Sequence, residues 1–332
     1  MADITTDFAG TENAATVYSR LESMIDYYYG TGYFDTLTTR ASIRSAINDL
    51  QSSANDFLAD SELASSFITK LNRFNDPDNL RTELDTLTGA NKAAFWDLST
   101  ASTVYETTGT SDPCEAGDPI STLTGRAIGT LATASWTSTT TQRPLWQTTY
   151  ADFDATNDQM AGDANLLTMF QNASSCVLGA SFRLSSLSTN RSLLTWREGV
   201  TNFTPRVTLE IISDGSIIMS IRRTDGDTTT ARLSAAGLIT TGVDYCVIGT
   251  VDFATGGAGA VKAYINNGSD VINGTLTGSG NTSNTASIAA GFGIGVGGGT
   301  PMSGRIYRAF AGAFIPTTAE RALLNGVLRG GL

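Results

Sequence analysis

Asp152, Asp154 and Asp158 form the densest group of carboxylates in the sequence, with Phe153, Ala155, Thr156 and Asn157 between them. Hard cations such as calcium take about six to eight oxygens, several of them from one short loop. In an extended run Asp152 and Asp154 share one face and Phe153 takes the other. Two aspartates and a loop residue fall short of a calcium set. The stronger reading is turn or strand-edge hydrogen bonding, and no metal or other cofactor is assigned. Glu198, Glu210, Asp214 and Asp252 are scattered singly over separate runs. Glycoside hydrolysis needs two carboxylates about 5–9.5 Å apart across the sugar, which isolated acids do not announce. The chain contains no histidine. That excludes Ser-His-Asp and Cys-His nucleophiles, imidazole acid–base chemistry and His-ligated metals. The expectation is a protein that is not an enzyme.

Binding chemistry has better candidates. Sugar rings stack their apolar faces on exposed aromatic side chains flanked by amides and charges. Trp136, Trp146 and Trp196, with Arg197 and Asn202 close to the last in sequence, are the candidate carbohydrate-binding residues. The alternative for each tryptophan is a place in the core, and Trp196, after the apolar pair Leu193-Leu194, is ambiguous between two strand faces. Gly291 to Gly299 contains glycine spacings that resemble a dinucleotide loop. A turn and a strand follow instead of a helix, so the glycines are expected to let a neighbouring strand or loop approach the backbone closely.

These residues must be positioned by two unlike segments. Over 1–92 apolar residues recur at helical spacing: Val17, Leu21, Met24, Ile25 and Tyr28, then Ile43, Ile47, Leu50, Ala54 and Phe57, then Leu63, Phe67, Leu71 and Phe74. Asp76-Pro77 opens a fourth run ending at Gly89. Tyr27, Tyr28, Tyr29, Tyr33 and Phe34 exceed what one helix face buries, and with Ile43, Ile47 and Leu50 they are the candidate docking and oligomerisation residues. From about Phe95 helical periodicity fades into short alternating runs: 174–187, 192–198, 207–212, 216–222, 228–233, 245–251 and 260–266. Ser213-Asp214-Gly215 and Asn267-Gly268 supply turns. Near the end, strands around 292–296 and 306–310 flank a turn at Gly297–Pro301. A threonine-capped helix with Glu320 in its first turn then runs from Ala319 to about Val327. The fold expected is α+β by segment: a helical segment over 1–92 and an all-β sandwich over 93–332.

The net charge of −11 argues against nucleic-acid backbones, which need a basic footprint. No run approaches the ~20 apolar residues of a membrane span, and the opening MADITTDFAG lacks the basic and apolar regions of a secretory signal. Cys114, Cys176 and Cys246 are too widely spaced for a metal or redox motif. Cys176 and Cys246 read as buried thiols, with a disulfide between them left open.

Several pieces of the β region resemble laminin-G-like, concanavalin-like jelly rolls of the kind found in bacteriophage structural proteins. Ala94-Phe95-Trp96-Asp97-Leu98 is similar to the family's opening and Glu115 to Ile120 to its "GDPV" segment. Arg143-Pro144 with Tyr150 to Asp158 is similar to its "RP…FDGxdD" stretch. Ala263 to Gly268 is similar to its "NG" hairpin, and Ser303-Gly304-Arg305-Ile306 to its closing strand. Ala155 stands where glycine is usual, and Asn157 where the first of two aspartates is usual. The resemblance covers about 94–332 and none of 1–92. It implies a virion structural protein such as a fibre, spike or capsid decoration, assembled in the bacterial cytoplasm and displayed on the particle surface. Its partners would be other virion proteins through the N-terminal helices, copies of itself in a homo-oligomer, and host-surface polysaccharide. The other classes kept open are a glycan-degrading enzyme of the same fold and a decoration protein with no ligand.

Overall fold

The computed structural model describes residues 91–107, 111–198, 205–293 and 302–329. The helical runs expected in 1–90 lie outside these residues. So do Tyr27, Tyr28, Tyr29, Tyr33, Phe34, Ile43, Ile47, Leu50, Asn202 and the glycine turn at 297–301.

The chain enters on β1 (Ala93–Asp97), followed by a short 3-10 turn (Ala101–Thr103) and β2 (Val104–Tyr105). Six short strands follow: β3 (Thr122–Thr124), β4 (Arg126–Ile128), β5 (Ser135–Thr137), β6 (Leu145–Trp146), β7 (Ala151–Asp154) and β8 (Met160–Gly162). Longer strands come next: β9 (Ser175–Leu184), β10 (Arg191–Arg197), β11 (Pro205–Ile211), β12 (Ile217–Ile221) and β13 (Thr230–Leu233). β14 (Asp244–Asp252), β15 (Gly257–Ile265), β16 (Asp270–Leu276), β17 (Ala289–Phe292) and β18 (Ser303–Gly312) complete the set, and helix α1 (Thr318–Arg329) follows. Among the described residues the pairings between these strands are antiparallel and build two sheets. Sheet A runs β16-β15-β14-β9-β18-β1-β4, with β7 also on β18 and β6 on β7. Sheet B runs β13-β12-β11-β10-β17-β8-β5-β3-β2.

Alternation places the core between the sheets. Trp96, Phe153, Phe182, Val247 and Ile306 project from sheet A toward Trp136, Trp196, Leu209, Met219 and Phe292 of sheet B. Aromatic rings fill the centre: Trp136 lies 5.2 Å from Trp96, 5.8 Å from Trp196 and 5.6 Å from Phe292 between centroids. Gly293, at φ +69°, gives Phe153 room, because a Cβ there would fall 2.2 Å from the ring. The close approach expected of the glycine run is therefore seen at this residue.

The opposite face of sheet A carries α1, which packs on β9, β14 and β18 with Leu323, Leu324, Val327 and Leu328 buried. A capping box starts the helix: Glu320 N donates to Thr317 Oγ1 at 3.3 Å and Thr317 N to Glu320 Oε2 at 2.6 Å. Arg308 of β18 fastens its end. Nη1 donates to the Val327 carbonyl at 2.7 Å, while Nε donates to Asp97 Oδ1 of β1 at 3.0 Å. All three cysteines are buried free thiols. Cys176 pairs in register with Val251 and Cys246 with Ser181, so the two lie five residues apart along neighbouring strands. That is about 17 Å, far beyond the ~7 Å limit for a disulfide.

Candidate functional site

Two of the motifs singled out in the sequence become adjacent strands of sheet A. β7 pairs with the start of β18, so that Asp152 faces Arg305 and Phe153 faces Gly304. Because Ala151, Phe153, Phe182 and Ile306 point into the core, Asp152, Arg305 and Arg183 point out. Arg305 also registers with Arg183 of β9, and Arg183 with Asp244 of β14. The result is a charged row across four strands, Asp152–Arg305–Arg183–Asp244, on the same sheet face as α1.

The row is tied together and given an aromatic surface. Arg183 grips Asp244 with a fork, Nε to Oδ1 at 2.7 Å and Nη2 to Oδ2. Tyr307 Oη donates to the same Oδ1 at 2.7 Å. A bulge at Tyr307, between Ile306 and Arg308, turns this tyrosine onto the outer face. Tyr150 packs edge-on against Tyr307, 5.7 Å between centroids, and the Arg305 guanidinium lies 4.5 Å over the Tyr150 ring. The Arg183 and Asp244 side chains keep 34% and 27% exposure. Their pairing is therefore solvent-screened and contributes at most about 1 kcal/mol to the fold. Burial pushes the Asp244 carboxyl up, but the Arg183 and Tyr307 hydrogen bonds outweigh it and hold the carboxyl below its ordinary value. The Tyr307 phenol is raised to about 12 by burial and by Asp244. Burial raises Asp152 against the opposing pull of Arg305. The row thus offers carboxylates and guanidiniums, groups that hydrogen-bond sugar hydroxyls, beside the half-buried Tyr150 ring, while buried Tyr307, its phenol spent on Asp244, braces it from beneath.

The neighbouring aspartate loop is self-contained. Asp154 N donates to Asp158 Oδ2 at 2.8 Å and Thr156 N to Asp154 Oδ1 at 2.7 Å, around Ala155 at φ +69°. These are turn hydrogen bonds of the kind expected; among the described residues no group of three or more acids, cysteines or histidines could hold a metal ion.

The tryptophans are a correction. Trp136 and Trp196 are 0% exposed and Trp146 is 5% exposed, and a ring without an accessible face cannot stack on a sugar. Trp146 Nε1 donates to the Leu98 carbonyl and Trp196 Nε1 to the Leu166 carbonyl, each at 2.8 Å. The ambiguity at Trp196 is resolved by a bulge: Ser192 pairs with Glu210 but Leu194 with Leu209. Leu193, Leu194 and Trp196 all reach the core. Arg197 is half-buried at the end of β10.

The scattered acids serve the fold. Glu198 is paired with Arg206, whose guanidinium is wholly buried and also donates to the Phe170 and Thr285 carbonyls at 2.8 and 2.7 Å. Asp214 accepts from Ser216 N at 2.9 Å and Asp252 from Thr255 N at 3.0 Å, both turn contacts. Glu210, raised by burial, lies beside the Ser192 and Thr208 hydroxyls. The outer face of sheet B carries a cross-strand line of small residues: Thr122, Thr137, Ala161, Gly291, Thr195, Thr208 and Ser220. In this line Thr195 and Thr208 are 2% and 3% exposed.

Sequence reasoning named none of Arg183, Asp244, Arg305, Tyr150 and Tyr307 as binding residues. They come from three strands, β9, β14 and β18, and from the residue before β7, and meet only through register. The available signal was the outward parity of Asp152 in one quoted motif and Arg305 in another.

No protein-family model matches the chain, and no curated protein matches it. Among solved structures, parts of the chain are similar to the CBM40 of the Ruminococcus gnavus IT-sialidase, bound to α2,3-sialyllactose. Identity is 19% over 47% of this chain and 84% of that one, with a TM-score of 0.38. A structure from work on botulinum neurotoxin type C, its cell entry dependent on two ganglioside molecules, is 14% identical over 51% and 39%, with a TM-score of 0.36. The leech intramolecular trans-sialidase complexed with 2,7-anhydro-Neu5Ac is 18% identical over 50% and 25%, with a TM-score of 0.37. Likenesses of this size assign the chain to none of these proteins.

Proposed function

We propose that this chain is a non-catalytic recognition β-sandwich, displayed on a virion as a fibre, spike or decoration, that contacts host-surface polysaccharide. The observation that carries recognition is the row Asp152–Arg305–Arg183–Asp244 with the half-buried Tyr150 ring beside it and buried Tyr307 bracing it. It is a partly exposed surface where hydrogen-bonding groups of both charges stand beside an aromatic ring on rigid strands. The particle setting is supported by the ordered resemblance of residues 94–332 to laminin-G-like phage modules. The segment 1–92 would supply attachment to other virion proteins and multiplicity. Several copies then raise a weak single-site affinity by avidity.

The test is a pull-down of host capsular polysaccharide by the full chain, compared with Tyr150→Ala and Arg305→Ala. Both variants should keep the wild-type melting temperature within a few degrees and lose about tenfold or more in binding. Undiminished capture by both variants would remove the row as the site. No capture by the wild type would leave a decoration role without a ligand.

A further inference from the structure

Helix α1 is buried on a side that sheet A does not reach. The Arg321 guanidinium lies 3.7 Å over the ring of Tyr264, an outward residue of β15, and a Cβ at Gly179 of β9 would fall 2.8 Å from Leu328 Cδ1. Arg321, Leu324 and Leu328 therefore form the stripe that faces the sheet. At about 3.6 residues per turn, Ala322, Leu323 and Gly326 point away from it. A helix resting on a sheet keeps that far face in water, and one that is apolar all round is covered all round. Here Ala322 and Leu323 are each 1% exposed and Gly326 is buried with them.

The covered area continues past the helix. Ala94 and Trp96 of β1 point into the core, so Ala93 and Phe95 point out, on the α1 side. Ile128 of β4 is the cross-strand partner of Ala93 and shares that face. Phe95 is 2% exposed and Ile128 4%, yet β4 is the outermost strand there, three strands from β9, or about 14 Å. α1 packs on β9, β14 and β18, so it lies to one side of this edge.

The cover has to come from elsewhere in the chain. Outside the described residues lie 1–90 and four short stretches, 108–110, 199–204, 294–301 and 330–332. Of these, 1–90 has the length to span that distance, and it joins the sandwich at Asn91, next to Lys92 and Ala93. Its apolar residues recur at helical spacing, as in Ile43, Ile47, Leu50, Ala54 and Phe57, and such stripes hold as helices by packing on an apolar surface. Ala322 and Gly326, one turn apart, carry almost no side chain, so a second helix can lie close to α1.

We infer that segment 1–90 docks on this face as a helical layer, an apolar stripe lying along Ala322, Leu323 and Gly326 and the layer reaching the β1–β4 edge at Phe95 and Ile128. The docking stands whether or not the Tyr150–Arg305 row binds a glycan, and attachment to other virion proteins would use the surface of 1–90 turned away from α1.

Hydrogen exchange of the full chain, read by mass spectrometry, tests it on wild type, Ala322→Glu and Leu323→Ala. Wild type is expected to protect amides within 1–90, and to do so equally at about 1 and about 50 µM protein. Ala322→Glu puts a charge under the docked stripe and leaves the sheet-facing side alone. Exchange within 1–90 should rise about tenfold or more while β9 and β14 keep their protection. Leu323→Ala should act in the same way to a lesser degree. Free-peptide exchange throughout 1–90 in the wild type, or unchanged protection in both variants, would overturn the inference. Protection of 1–90 that is lost on dilution would also overturn it, by giving the face to a second copy. If both variants loosened β9 and β14 together with 1–90, the far side of α1 would belong to the sandwich's own core and the inference would fail as well.

Discussion

Asp158 is 6% exposed, with one carboxylate oxygen on the Asp154 amide, and burial raises its pKa to about 6. Unfolded aspartate titrates near 3.9. Between about pH 4 and 6 the folded chain therefore holds more protons here than the unfolded chain does. Stability falls as pH rises through that window and levels above it. Asp152 and Glu210, also raised by burial, act with the same sign. Asp244, held low, acts with the opposite sign, its contribution being lost as pH falls. Asp158→Asn keeps an acceptor for the Asp154 amide and removes the buried charge. It should raise the melting temperature at about pH 7.5 and flatten the melting profile between about pH 4 and 6. An unchanged slope would place the pH dependence on other groups. Single residues were unevenly legible in the sequence. Asp152 and Asp154 opposite Phe153 followed from strand parity alone, whereas Trp196 depended on a bulge that leaves no mark in the residue types.

At the scale of elements the long strands were the readable ones. The runs around 174–187, 192–198, 207–212 and 245–251 recur in β9, β10, β11 and β14, because seven to ten residues display a period of two. β2 to β8 have two to four residues each, too few for any period, and β7 and β8 also pair with β18 and β17, far away in the chain. Their positions depend on crossings such as Gly125. A Cβ at that residue would sit 2.2 Å from Trp96 Nε1 and 2.7 Å from the Ala134 carbonyl, which are themselves hydrogen-bonded at 2.8 Å. Gly125→Ala must therefore displace the Trp96 ring from the aromatic centre. The expected loss is about 1–3 kcal/mol in urea unfolding, and an unshifted midpoint would show that the crossing has slack. The terminal helix, by contrast, was announced by its own capping residues, Thr317 and Glu320.

For the whole molecule, the sequence indicated a sandwich but not which face is available for binding. Sheet B spends its outer surface on small residues. Sheet A divides its own between α1 and the charged row. That division follows from register and from one arginine, Arg308, which no periodicity distinguishes. The same arginine has a consequence for synthesis. β18 lies between β9 and β1 in sheet A, and Arg308 joins Asp97 across 211 residues of chain. On a translating ribosome β1 meets β4 soon but waits for its other neighbour across those 211 residues, since β18 cannot pair until residue 312 is clear of the exit tunnel. Such non-local closure is slow. Nascent chains stalled at residue 302 should be cut by protease throughout 93–302, and the released chain should resist. Resistance at the stalled length would mean that sheet A closes without its central strand. During that interval the cell has to shield the edges of β1 and β9 that β18 will cover.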